Sequence, residues 1–371
     1  MPVALLYHEN LRDYDFGPGH SFRGDRFGAF FHFLKEHLPE NGNYRVLAAD
    51  PATEEDLALI CHPEYVAFVT AYYRTAHAGL ELPAGPDVRR FLSVDNVPLG
   101  RPGRLEEAAR LVVGQARLGV DLVLGGAFGQ AVSVGGGLHH ARRSYGEGFC
   151  IYNDVAFAAL YAVTKHGLER VLVLDTDAHA GNGTAEYFYG DPRVLFIDLH
   201  QDPRTLYPGT GFVYEIGTGP GRGYTVNCPL PPGAGWDSYR YVFEEVVWPL
   251  AEEFRPQLII RNGGCDPYWN DRLTWLGLTV DDFRKLGALV RDLAGLCGGR
   301  ELDMICSGYN ERALPACWLA LMAGVAGLPV RVDEPEPVPG WVRRDAGYHE
   351  TRDMVRELKK HLKDYWSCMA G

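Results

Sequence analysis

Short runs of β-branched or apolar residues, without the alternation of a half-exposed strand, recur along the chain at residues 131–134, 171–174, 194–197, 258–260 and 304–306. Continuous runs of this length predict strands buried on both faces. Between and around them, residues 105–118, 155–163, 281–296 and 313–323 place apolar side chains at helical spacing. Alternating strands and helices predict an α/β fold, three-layer α/β/α, with a mostly parallel sheet covered on both sides. No repeat, low-complexity tract or linker interrupts residues 1–371, so one domain is expected.

Each predicted strand runs into an unusual polar loop: GGGLHHA, DTDAHAGNGT, DLHQDP, RNGGCDP and SGYNE. In open parallel sheets, ligands bind beyond the carboxyl ends of the strands. Loops far apart in sequence can therefore meet in one pocket.

Composition narrows the function classes. A net charge of −12 with no polybasic run argues against a protein that grips nucleic acid. No stretch offers about 20 uncharged apolar residues, the length of a membrane helix, and MPVALLYHEN has no secretory character. The eight cysteines are scattered without a CxxC pair, as expected for reduced thiols in a cytoplasmic protein.

Taken singly, the loops leave their chemistry open. Strand-like extension sends Asp175, Asp177 and His179 to one side, where they suit a divalent metal or equally order a loop. Asp266 ends the Gly-Gly-Cys-Asp loop as a ligand or as a helix cap before Pro267. Cys265 beside it reads as a small packed residue rather than a ligand. His139 and His140 suit metal ligation, acid–base work or a polar loop. Tyr309 points into the crevice or packs beneath its loop.

Together the motifs resemble the histone deacetylase family, with its acetylpolyamine amidohydrolase and acetoin-utilisation relatives. The resemblance rests on YDFGPGH (14–20), CHPEYV (61–66), GGGLHHA, GFCIYNDVA (148–156), DTDAHAGNGT, LYPGTG (206–211), GGCD and SGYN, in order along nearly the whole chain. It implies an arginase/deacetylase-like domain around a parallel eight-stranded sheet, and the want of long tails implies a stand-alone bacterial or archaeal enzyme. It implies Zn2+ held by Asp177, His179 and Asp266, with His140 as general base and His139, backed by Asp175, as its electrostatic partner. Tyr309 would donate to the oxyanion. A monovalent cation, K+ or Na+, is implied beside Asp175, Asp177, His179, Asp198 and Leu199, Asp198 standing where serine is usual. A second is implied near Phe188, Asp191, Val194 and Tyr224. Asn182 departs from an aspartate found behind the second histidine in some members, Ala180 from a common histidine, and Ser21 from a common proline.

The same resemblance implies a narrow channel walled by Phe149 and Tyr207, with Gly148 beside it, Asp95 as a rim carboxylate and Leu273 in the lining. Leu273 stands near a place where polyamine-specific relatives can carry glutamate to hold a distant ammonium. The expected substrate is an N-acetyl-lysine protein or peptide. An acetylated polyamine or other small amine is the alternative, and a non-catalytic acetyl-lysine binder or an arginase-like ureohydrolase fits less well. Self-association is left open.

Overall fold

The structure is a computed structural model that describes residues 2–40 and 42–370. The predicted strands are present, and three more join them. The strands are β1 (Val3–Leu6), β2 (Tyr44–Leu47), β3 (Gln130–Val134), β4 (Val171–Asp175), β5 (Val194–Gln201), β6 (Thr225–Leu230), β7 (Leu258–Gly263) and β8 (Glu301–Ile305). They form one all-parallel sheet in the order β2-β1-β3-β8-β7-β4-β5-β6. The fold is the three-layer arginase/deacetylase-like arrangement.

Apolar faces explain the layers. The helices Leu105–Leu124 and Asp154–Lys165 pack on one another and on the central strands. A second group joins Asp25–His37, Val280–Ala294 and Leu314–Ala326. Val280–Ala294 begins with a capping box, Thr279 and Asp282 each accepting from the other's backbone N–H, which fixes its start. Leu314–Ala326 is buried almost throughout and ends at Gly327 with φ +64°.

Several boundaries differ from the apolar pattern for a common reason. β5 runs on to Gln201, so Asp198, Leu199 and His200 lie within a buried strand rather than in a loop. β8 begins at Glu301, and β7 carries Arg261. These polar residues broke the apolar runs, yet all of them are buried. Arg261 Nε lies 2.7 Å from Asp303 Oδ1, and Gln130 Nε2 donates to Glu301 at 2.7 Å. Charge pairing across neighbouring strands makes their burial tolerable. β2 is short and partly exposed and β6 contains Pro229, so neither offered a clear run, whereas the unbroken apolar run of β1, Val3–Leu6, precedes no polar loop of the kind that marked the other strands.

The order of the strands positions the site. β3, β8, β7 and β4 are contiguous at the centre of the sheet, and each feeds one of the polar loops.

Candidate metal centre and catalytic pocket

The loop after β3 carries His139 and His140 and is held from below. Asp154 accepts from Gly137 N at 2.9 Å and from Leu138 N at 2.7 Å, and Asn153 Nδ2 donates to the carbonyls of His139 and Ala141. Asn153 also caps the helix Asp154–Lys165 through Ala156 N. The YND segment thus starts a helix and pins the histidine loop with adjacent side chains.

Both imidazoles are buried and face one another, Nε2 to Nε2, at 3.2 Å. His139 Nδ1 lies 2.9 Å from Asp175 Oδ2, which also accepts from Asn262 Nδ2. His140 Nδ1 lies 2.7 Å from Asn182 Oδ1. Burial would lower His139, but the charges of Asp175 and Asp177 outweigh it and hold the group up at about 9. Burial lowers His140 well below the usual histidine range, reinforced by the positive charges of His139 and His179. The pair therefore divides into a proton-bearing and a proton-accepting imidazole.

β4 and β7 bring Asp177, His179 and Asp266 together, with one potential ligand atom from each within 4.8 Å of the others. His179 Nδ1 is 3.1 Å from Asp177 Oδ1 and 2.9 Å from Asp266 Oδ2. Ala178 N and Ser307 Oγ donate to the other Asp266 oxygen, at 3.1 and 2.8 Å. Burial, and then the charge of Asp177, push Asp266 up to about 7. Two buried carboxylates facing one imidazole in this way form a donor set suited to a divalent cation. The fit is carried by residues from separate strands.

Tyr309, after β8, lines the same cavity, which encloses about 240 Å3. Its backbone N–H donates to Asp271 Oδ2 at 2.7 Å, and Leu273 N donates to Asp271 Oδ1 at 2.9 Å. Burial pushes the phenol well above its ordinary value, so it remains a hydroxyl donor. The Arg26 guanidinium lies 5.4 Å from the centre of its ring and donates to the carbonyls of Cys306 and Gly308. Neither Asp271 nor Arg26 belongs to a polar cluster directly following an apolar run, so neither stood out in the sequence.

Phe149, Tyr207, Gly148, Asp95 and Leu273 also line this cavity. Phe149 adopts φ +66°, an uncommon conformation for a bulky residue. It is fixed by Tyr14 Oη donating to its carbonyl at 2.7 Å and by its N–H donating to Asn96 Oδ1 at 2.8 Å. Gly148, at φ +60°, donates to Asp95 Oδ2 at 2.9 Å. A β-carbon on Gly148 would stand 2.2 Å from His140 Cδ2, so glycine here makes room for that ring.

The residues proposed for monovalent cations are more dispersed. Asp175 and Asp198 sit in register on β4 and β5, with Leu199 next along the strand. Asp198 Oδ2 accepts from Gly181 N, while Oδ1 has no donor in hydrogen-bond geometry and lies 2.9 Å from His200 Nδ1. In the outer group, Asp191 is engaged by Arg193, and the carbonyls of Phe188 and Tyr224 accept from Asp191 N and Phe196 N.

A parallel sheet whose central strand ends gather a histidine pair, a three-ligand cluster and a tyrosine has the character of an amide-hydrolysing enzyme. Residues 20–325 match the histone deacetylase domain, and the chain belongs to the histone deacetylase family of deacetylases and amidohydrolases. It is 34% identical to a probable deacetylase of Archaeoglobus fulgidus over 99% of each chain. It is 33% identical to the acetoin utilization protein AcuC of Bacillus subtilis, over 92% of this chain and 87% of that one. A histone deacetylase-like amidohydrolase of Pseudomonas aeruginosa is 37% identical over 89% of this chain and 83% of its own. Among solved structures, the HDA15 HD domain superposes with a TM-score of 0.83 at 25% identity, covering 100% of this chain and 97% of that one. Among the described residues, no helix is long and apolar enough to cross a membrane.

Proposed function

We propose that this chain is a zinc-dependent deacetylase that hydrolyses the amide of N-acetyl-lysine in proteins or peptides. The observation that carries the reading is convergence. Asp177 and His179, the pair His139 and His140, and Tyr309 all border one narrow cavity walled by Phe149 and Tyr207, and the buried Asp266 stands directly behind the first two. Zinc held by the first three would supply Lewis acidity toward the acyl oxygen and make a neighbouring water more acidic. His140, neutral at Nε2, accepts a proton from that water and returns it to the departing amine nitrogen. His139, charged and held by Asp175, stabilises the negative charge that develops beside it. Tyr309 Oη donates a hydrogen bond to the oxyanion.

The walls favour a linear alkyl chain. Phe149 and Tyr207 flank its methylenes, each worth about 0.8 kcal/mol when buried. Leu273 offers no charge to a distant ammonium. Asp95, at the Gly148 side of the channel, suits a substrate amide and equally the cation of an acetylated polyamine, so the small-amine reading stays beside the first. A monovalent cation, K+ or Na+, is proposed next to Asp175, Asp198 and Leu199, supported by the two buried carboxylates that stand in register on β4 and β5. Residues 1–371 act in this reading as one catalytic domain. The eight free thiols support a cytoplasmic setting.

The test measures zinc content together with hydrolysis of acetyl-lysine peptides and acetylated polyamines. Stoichiometric zinc with peptide hydrolysis, blocked by a hydroxamate, is expected. Zinc-loaded protein inert toward every acylated amine would sink the enzymatic reading, and hydrolysis confined to polyamines would replace the substrate.

A further inference from the structure

Behind His140 lies a chain of side chains that the acid–base pair alone does not require. Asn182 Oδ1 faces His140 Nδ1 at 2.7 Å, and Asn182 Nδ2 donates to Glu147 Oε1 at 3.0 Å. The same carboxylate receives Arg142 Nε at 2.7 Å and, on its other oxygen, Tyr207 Oη at 3.0 Å. Arg142 is shared with Glu186, at 2.8 Å. The Glu147 side chain is only 12% exposed, so water competes little for these bonds.

Every one of these partners is a donor, which makes Glu147 an acceptor at each contact. An asparagine amide can turn over and offer either oxygen or nitrogen to a neighbour. Facing a carboxylate, Asn182 must present its NH2 group to Glu147 and hence its oxygen to His140. That oxygen requires the proton of His140 on Nδ1. The lone pair then falls on Nε2, the atom that faces the pocket.

We propose that Glu147 is a positioning residue that sets the tautomer of the general base through the amide of Asn182, and that its bond to Tyr207 ties the channel wall to the same device. The proposal rests on the deacetylase reading for the role of His140. Its physical content concerns where one proton sits and stands apart from the substrate. A carboxylate directly behind His140 would fix the tautomer from that side by itself; the amide needs Glu147 to tell it which way to face. The charged His139, whose Nε2 faces His140 Nε2 at 3.2 Å, favours the same tautomer from the pocket side.

The test exchanges the two groups. In the zinc-loaded protein, 15N spectra of the histidines should show His140 protonated at Nδ1 and bare at Nε2. Glu147→Gln should lower kcat by about tenfold, the lower end for loss of an orienting partner. KM should change little, because the amide oxygen introduced by that substitution still accepts from Tyr207 Oη. The double variant Asn182→Asp/Glu147→Gln restores an acceptor facing His140 and a donor behind it. It should return kcat to within about threefold of wild type, a coupling expected of residues in contact. A merely structural Glu147 would show no such recovery. Wild-type kcat in Glu147→Gln, a double variant no better than the single, or a wild-type His140 protonated at Nε2 would each overturn the proposal. A wild-type His140 protonated at Nε2 overturns the proposal even if a variant fails to fold, and an unchanged His140 tautomer in Glu147→Gln overturns it even where kcat falls. A wild-type protein that hydrolyses no acylated amine removes the proposed function, and the spectra of wild type and Glu147→Gln still judge Glu147.

Discussion

Tyr309 owes its place to an ion that touches only its backbone. Asp271 accepts from the Tyr309 N–H and from Leu273 N, so one carboxylate sets both the phenol and the channel lining. Removing the hydroxyl itself tests the oxyanion role. Tyr309→Phe should cut kcat by about 2.7–4 kcal/mol of transition-state stabilisation, the usual range for one such donor, while zinc content holds. Unchanged turnover would free Tyr309 of that role. At this scale the sequence displayed the groups with distinctive chemistry: Asp175 ends an apolar strand, and His139, His140, Asp177, His179, Asp266 and Tyr309 stand in the loops that follow such runs. It hid the residues that aim them. Asn182 was noticed, but Glu147, Asp271, Asp154 and Arg26 look like ordinary surface charges until the fold shows what they hold.

The loop after β3 illustrates how an element is made dependable. Gly137 and Leu138 both give their N–H groups to Asp154, which burial pushes up to about 7 against the pull of those same bonds. Asp154→Ala should destabilise the fold by about 1–3 kcal/mol for each N–H left buried and unpaired. Asp154→Asn, keeping one oxygen, should lose clearly less. Urea midpoints for the two variants read this directly, and equal losses would mean that the bonds are not what secures the loop. Element positions were legible where apolar runs were unbroken, as at β4. They were blurred where buried ions interrupt them, as at β5, β7 and β8, since periodicity carries no information about pairing on a neighbouring strand.

Across the whole molecule, three-layer architecture followed from alternation, but strand order did not. Nothing local tells β8 to lie between β3 and β7. Part of the answer is the buried ion pair there, Arg261 on β7 with Asp303 on β8, with Glu301 buried on the same strand. Burial, and then the charge of Asp303, push Glu301 up to about 8 from an ordinary 4.5. The unfolded chain releases this proton near its ordinary value, whereas the folded chain keeps it until about 8. The folded state therefore binds the extra proton in that interval, and this group's contribution to stability falls as pH rises through it. Glu301→Gln should flatten that slope. Urea midpoints measured between about pH 5 and pH 8 would show it, and a variant with the wild-type slope would place the titration elsewhere.

The central position of β8 also has a temporal side. It is the last strand to leave the ribosome, yet its slot is at the middle of the sheet. At roughly 5–20 residues per second, the interval between the synthesis of β3 and of β8 is on the order of ten seconds or more. Throughout it the edge of β3 that β8 will cover has no partner, and β7, once made, waits with the same want. Asp177, His179 and Asp266 are all made before Ser307 and Tyr309. A nascent chain thus owns the whole proposed ligand set before it owns the proposed oxyanion donor. Biogenesis separates the capacity to collect an ion from the capacity to turn over, and a chain that stops short of β8 would carry the first without the second.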